Sequence, residues 1–242
     1  ILPLVQRPSR YVGNELNAVH KDWDKANIHF ALAYPDTYEI GMSNLGVQIL
    51  YYIINGQADA VAERVFAPWP DMENQLTTNN LQLTTLESQR PLKDFDLLGF
   101  SLGHELTYTN IITMLKLGGI PLYAKDRKDG DSLVLGGGPC AFNPEPIADF
   151  FDFFVIGEAE EVIVEIVEVI RKRKAESRTQ VLGALAEVPG VYVPLIGGKV
   201  TKRYIRDLTS NPYPLAPIIP FVEAVHDRAV LEIMRGCKWG CK

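Results

Sequence analysis

The stretch Ile28–Tyr34, which reads IHFALAY, is the pattern that decides the fold. Its apolar residues are nearly continuous and Pro35 follows directly, which is typical of a strand that is buried on both faces and ends at a turn. Apolar residues then recur at helical spacing from Leu45 to Ile53, after Ser43, which we predict to be the N-cap of a helix. A buried strand, a turn and an amphipathic helix in this order predict the start of a βαβ unit.

The same alternation continues along the chain. Further strands are predicted at residues 61–67, 81–86, 97–101, 121–124, 133–135 and 153–156, and helices at 68–79, 107–117 and 160–174. Alternating strands and helices of this kind favour an α/β fold with a doubly wound parallel sheet and helices on both faces. After that the pattern changes, and it predicts a β-hairpin within 191–204, a linker with four prolines over 207–220 and a new strand over 229–234.

Composition excludes several classes of protein. The chain has 242 residues, of which 47% are hydrophobic and 22% charged, which is typical of a globular protein. The net charge of −6 does not indicate nucleic-acid binding. No apolar run approaches the roughly 20 residues of a membrane span, and no signal-peptide pattern opens the chain. Three cysteines do not form a secreted disulfide framework, so a cytoplasmic location is expected.

The unusual residues follow the predicted strands, at the edge where a doubly wound sheet binds ligands. Glycines in the loop 36–46 let a ligand approach the backbone, or simply serve a turn. Ser101 could face a ligand or cap the next helix. Three consecutive glycines, residues 136–138, suit a flat ligand on the main chain better than a tight turn, which needs only one glycine. The carboxylates that follow Gly157 are favoured at a helix N-terminus and also permit a role in ligand binding.

Cys237 and Cys241 lie four positions apart near the end of the chain, directly after the predicted strand 229–234. Cysteine pairs at the mouth of a strand are ligands for soft metals. Two thiolates are only part of such a site, so we expect the chain to be a fragment that ends inside a metal loop. A structural zinc site is the alternative, in an otherwise non-catalytic docking module. Dinucleotide binding is disfavoured, because no G-x-G-x-x-G follows the first strand.

Together, these stretches resemble the cobalamin-binding radical SAM proteins, and in particular an uncharacterised group of them with an N-terminal cobalamin-binding-like domain. The stretches that carry the resemblance are residues 34–46, 99–105, 136–146, 156–161 and 232–241. The resemblance implies a flavodoxin-like (Rossmann-type) domain, followed by a radical SAM barrel whose first strand ends in a C-x3-C-x2-C loop. That loop holds a [4Fe-4S] cluster, which binds S-adenosylmethionine and cleaves it to a 5′-deoxyadenosyl radical. Cys237 and Cys241 match the first two ligands, and the third would lie just past Lys242.

The resemblance also implies the domain layout and the site. We expect an N-terminal extension at 1–27, the cobalamin-binding-like domain at 28–190, the hairpin and linker at 191–220 and the start of a truncated radical SAM domain at 221–242. The full-length protein would be an enzyme that works with small-molecule cofactors, while the fragment alone would be inactive. No substrate is selected. The cofactor-binding residues would be Asp36, Tyr38, Gly41, Ser43, Ser101, Leu102, His104, Gly136, Gly137, Gly138, Gly157 and Glu158.

One departure from the family pattern matters. Many cobalamin domains carry D-x-H-x-x-G, whose histidine ligates cobalt, and here Tyr38 takes the histidine position between Asp36 and Gly41. A neutral phenol is a poor cobalt ligand beside imidazole. Either cobalamin binds without a lower ligand from the protein, or the domain has kept the fold and lost cobalamin.

Overall fold

One mixed sheet organises the chain. The computed structural model describes residues 1–226, 228, 230–236 and 239. Within them the strands are β1 (Ile28–Tyr34), β2 (Ala60–Phe66), β3 (Leu97–Ser101), β4 (Leu133–Gly137), β5 (Phe153–Val155) and β6 (Val191–Tyr192). Their spatial order is β2-β1-β3-β4-β5-β6; the first five are parallel, and β6 runs antiparallel to β5. The order 2-1-3-4-5 is that of flavodoxin-like folds, so the predicted fold class is confirmed.

Helices cover both faces of this sheet. They are α1 (Tyr38–Gly41), α2 (Leu45–Asn55), α3 (Pro70–Thr78), α4 (Tyr108–Leu117), α5 (Val162–Arg173) and α6 (Arg178–Ala186). Helices α2, α5 and α6 pack on one face, through residues such as Ile49, Ile166 and Leu182. Helices α3 and α4 pack on the other, through Met72 and Met114. No helix of the described residues combines the length and apolar character needed to span a bilayer.

The start of α2 differs from the prediction in its cap. Asn44, not Ser43, is the N-cap, and its side-chain oxygen accepts a hydrogen bond from the Val47 backbone N–H at 3.0 Å. The Ser43 hydroxyl instead donates to the carbonyl of Glu39 at 2.8 Å. Ser43 therefore closes the short helix α1 rather than opening α2.

Two predicted strands, at 81–86 and 121–124, are wrong. In the first, buried Leu83 and Leu86 give the alternation of a strand, but their backbone N–H groups donate to Leu117 and Arg64, which belong to different elements. In the second, the Arg127 guanidinium takes the backbone carbonyls of residues 121 and 122, which a strand would need for its neighbour.

The C-terminal part departs furthest from the prediction. The β-hairpin is wrong beyond its first strand, because β6 ends at Tyr192 and the returning backbone at Arg203 pairs with Gly157 instead. Residues 230–234 form no strand, since no strand of the described chain pairs with them. Helix α6 was not predicted, although Ser177 and Gln180 form a capping box at its start.

Candidate functional site at the strand ends

The carboxyl ends of the parallel strands form the candidate site. β1 and β3 are adjacent, and the chain leaves them for opposite sides of the sheet, which is the switch point where such folds bind ligands. The last residues of β3 and β4, together with the segments that follow β1, β3, β4 and β5, lie at this edge and include every predicted cofactor-binding residue. The structure therefore brings these positions to one end of the sheet, where some of the residues are buried in the packing and others are exposed.

Tyr38 points into the protein. Only 2% of the residue is exposed, and its ring packs edge-on against Phe66 at a centroid distance of 5.3 Å. Its hydroxyl donates to the Glu15 carboxylate at 2.9 Å. Burial and the neighbouring Glu15 charge raise the pKa of Tyr38, so the phenol stays neutral. The Tyr38 oxygen therefore serves the interior of the protein, and a contact between Tyr38 and a cofactor stays a prediction.

A buried ionic network holds Tyr38 in this position. The Arg64 guanidinium donates to Glu15 at 2.8 Å and to Glu87 at 2.6 Å, and Arg64 is 2% exposed. Burial works against the charge of Arg64, but the two carboxylates raise its pKa above the usual value. Burial also opposes the ionisation of Glu15, yet the Arg64 charge holds the pKa of Glu15 below its usual value. Sequence reasoning missed this network, although an arginine within the apolar run of β2 was a signal of it.

Three more of the predicted cofactor-binding residues, Gly41, Gly136 and Leu102, are packed beneath the strand-end surface. A side chain on Gly41 would come within 2.2 Å of the Phe66 ring, and one on Gly136 within 2.8 Å of Leu102. Leu102 itself is fully buried. The tight packing explains the need for glycine at Gly41 and Gly136, and a role of these residues and Leu102 in cofactor binding stays a prediction.

The ends of β3 and β4 present open main chain. A Cβ added to Gly103 or to Gly137 would find its nearest heavy atom at 3.9 Å, so nothing crowds the backbone at either position. Ser101 is half-buried between them. Gly138 has a φ of +115°, which favours glycine, and it lies against the Leu102 backbone. This uncrowded floor suits the close approach of a flat ligand.

His104 is exposed at the rim of this floor, and its Nδ1 accepts a hydrogen bond from the Leu106 backbone N–H at 3.2 Å. The ring thus caps the turn before α4.

The β1 side of the edge is covered by a later part of the chain. Asp36 accepts a hydrogen bond from the Thr37 N–H at 2.7 Å. The Ser43 hydroxyl accepts from the backbone N–H of His226 at 3.0 Å, and the Val225 N–H donates to the carbonyl of Glu39 at 3.2 Å. Ser43 is thus engaged by the C-terminal segment, which leaves the β3–β4 side as the more open part of the site.

The β5 side is also covered. Gly157 has a φ of +114°, and a side chain there would overlap the backbone of Arg203. Glu158 accepts a hydrogen bond from the Ile205 backbone N–H and lies 3.7 Å from the Arg235 guanidinium. Gly157 and Glu158 therefore contact other parts of the chain, and their role in cofactor binding stays a prediction.

The predicted metal ligands Cys237 and Cys241 lie outside the described residues. Within the part that is described, no group of three or more histidine, cysteine, aspartate or glutamate side chains could hold a metal ion. Cys140 is a buried free thiol, and burial together with Glu105 raises its pKa. It behaves as a small buried hydrophobe.

Comparison with known proteins gives a family match. The family model for the N-terminal region of radical SAM proteins matches residues 46–194. An uncharacterised protein of Methanocaldococcus jannaschii is 27% identical over 214 residues, which are 88% of this chain but only 39% of that protein. The chain thus spans about two fifths of the length of this relative.

Two structures of the radical S-adenosylmethionine methyltransferase TsrM from Kitasatospora setae also resemble the chain. One, with tryptophan and a SAM analogue, has a TM-score of 0.45 and 14% identity, over 72% of this chain and 30% of the other. The second, with cobalamin and a [4Fe-4S] cluster, has a TM-score of 0.45 and 15% identity, over 78% and 31%. Neither likeness is close enough to assign a function.

Proposed function

This chain belongs to the radical SAM proteins, and we propose that the full-length protein is a radical SAM enzyme of which these residues form the N-terminal part. The observation that carries the proposal is the combination of the family match over 46–194 with the cysteine pair that follows it. The domain layout 28–190, 191–220 and from 221 onward is part of the same proposal.

Cys237 and Cys241 are the residues that would hold the cluster. Thiolates are the ligands of [4Fe-4S] clusters, so the donor set fits. When bound, such a cluster supplies an electron to S-adenosylmethionine and so yields a 5′-deoxyadenosyl radical. The role of the described residues is to form a rigid α/β domain beside that centre. The substrate is not specified by these residues.

Electron paramagnetic resonance tests the cluster. The full-length protein, reconstituted anaerobically with iron and sulfide and reduced, should show a [4Fe-4S]⁺ signal that changes when S-adenosylmethionine is added. Cys237→Ala and Cys241→Ala should each abolish it. Tightly bound zinc with no iron–sulfur signal would instead support the structural zinc site, and would overturn the proposal.

Cobalamin is our proposal for the strand-end site, held over the open backbone of Gly103 and Gly137 without a protein ligand to cobalt. Two observations bear on it. The backbone at Gly103 and Gly137 is uncrowded, and the Tyr38 hydroxyl is committed to Glu15. These residues fit a corrin that lies against main chain, and they do not fit one that needs a ligand from Tyr38.

A titration with hydroxocobalamin, followed by absorbance and gel filtration, tests this site. The full-length protein should bind at micromolar concentration. Gly103→Leu and Gly137→Leu should each weaken binding by about tenfold or more, because each fills open space in the floor. Gly183→Leu is the matched control, since Gly183 in α6 is equally uncrowded but belongs to a different part of the fold. Failure of the folded wild type to bind would show that the domain has kept the fold and lost cobalamin.

A further inference from the structure

Arg235 lies two residues before Cys237 and is surrounded by carboxylates. Its guanidinium donates to both oxygens of Glu232, at 2.7 Å each, and to Glu160, and it also lies 3.7 Å from Glu158. Glu232 belongs to the same segment as Arg235, whereas Glu158 and Glu160 belong to the loop after β5. The arginine therefore joins the segment that leads to the cysteines to the end of the sheet.

The loop that receives Arg235 is itself a docking point for the chain. Gly157 pairs with the backbone of Arg203, the Ile205 N–H donates to Glu158, and the Asn211 side chain donates to Glu160 at 3.4 Å. Segments that are far apart in sequence thus converge on four consecutive residues, 157–160. The loop binds protein main chain and side chains, so part of its surface is covered by the chain itself.

The Glu160 carboxylate is buried, so its ion pair with Arg235 should stabilise the attachment of the segment. The Glu160 side chain is 8% exposed and that of Arg235 is 21% exposed. A carboxylate buried to this degree is costly without a charged partner, so loss of Arg235 would favour release of the segment or a rearrangement of the loop.

We propose that Arg235 is a positioning residue of the cluster loop, which fixes the segment before Cys237 to the β5 end of the N-terminal domain through Glu158 and Glu160. This inference rests on the proposed radical SAM function. It gives the N-terminal domain a second role, as the rigid support that sets the position of the first cluster ligand.

The test uses the full-length protein and three variants of the contact. Arg235→Met removes the charge, Arg235→Lys keeps the charge but not the forked geometry, and Glu160→Gln changes the partner without changing its size. Arg206→Met is the matched control, because Arg206 is an exposed arginine of the same C-terminal region. Iron content after anaerobic reconstitution, the EPR line shape with S-adenosylmethionine and hydrogen exchange of residues 230–236 are measured together with thermal unfolding.

We expect Arg235→Met and Glu160→Gln to weaken iron retention by about tenfold and to change the line shape, with Arg235→Lys intermediate and Arg206→Met like the wild type. Hydrogen exchange over 230–236 should rise by about tenfold even before reconstitution. Wild-type exchange and iron retention in Arg235→Met would overturn the inference. If the wild type forms no cluster, but hydrogen exchange over 230–236 is still faster in Arg235→Met than in the wild type, the proposed function is overturned while the Arg235 contact stands.

Discussion

Replacement of Tyr38 by phenylalanine tests whether the Tyr38 hydroxyl stabilises the fold or binds a cofactor. The change deletes one buried hydrogen bond, of 2.9 Å, from the hydroxyl to the ionised Glu15. Glu15 keeps its contact with Arg64 at 2.8 Å, so the carboxylate does not become unpaired. Hydrogen bonds to charged groups contribute about 1.5–3 kcal/mol, so the free energy of unfolding should fall by that amount. For a chain of this size the melting temperature should fall by roughly 3–12 °C.

Thermal denaturation followed by circular dichroism measures this loss, and a hydroxocobalamin titration of the same sample measures the site. We expect the dissociation constant to stay within about twofold of the wild type, since the lost bond lies in the interior. Tyr51→Phe is the control, because its hydroxyl exchanges hydrogen bonds with the backbone of Val19 and its loss should cost about 1 kcal/mol. A Tyr38→Phe protein with unchanged stability and abolished cobalamin binding would refute the reasoning.

Three further predictions concern the same interior. Arg64→Met leaves the Glu15 and Glu87 carboxylates without their partner and should lower the free energy of unfolding, measured in urea, by about 3–5 kcal/mol. A triple variant with Met in place of Arg64, Glu15 and Glu87 should recover most of that loss. Gly41→Ala places a methyl group 2.2 Å from the Phe66 ring and should cost about 1–3 kcal/mol by the same assay; an unchanged midpoint would contradict the packing role. Because the folded-state pKa of Glu15 is lowered, its contribution to stability is complete above the unfolded pKa of about 4.3 and is lost as the pH falls below it. A Glu15→Gln variant should therefore lose stability less steeply than the wild type between neutral pH and pH 3, and equal slopes would contradict the assignment.

The main strands and the parallel α/β class could be predicted from the sequence because the signals for these strands are local. Continuous apolar runs such as Ile28–Tyr34 and Leu97–Ser101 allow little besides a strand covered on both faces. The helices between them carry a clear apolar stripe. Local pattern and global fold agree here, so the pattern predicts the α/β class with a parallel sheet, while the flavodoxin-like type was implied by the family resemblance.

The failures arise where backbone partners are chosen at long range. Residues 81–86 have the alternation of a strand, but their N–H groups are taken by α4, β2 and a turn. The sequence does not show that the backbone of Arg203 pairs with Gly157 rather than with β6. That pairing depends on an open backbone 46 positions away in sequence.

The candidate site was predicted in place but not in detail. The sequence places segments such as 136–138 at the ligand-binding edge, since parallel strands end together. It does not show that Tyr38 turns inward, because its partner Glu15 lies in the N-terminal extension, far from the motif. Nor does it show that the segment around His226 covers Ser43. The part that stays exposed, around Gly103 and Gly137, emerges only from the packing of all four loops.

Cleavage of S-adenosylmethionine by the full-length protein is the most direct test of the assignment to radical SAM enzymes. The protein is reconstituted anaerobically, reduced and incubated with S-adenosylmethionine, and 5′-deoxyadenosine and methionine are quantified by chromatography and mass spectrometry. We expect both products in equal amounts from the wild type and none from Cys237→Ala. A folded, iron-loaded wild type that forms no 5′-deoxyadenosine would contradict the account.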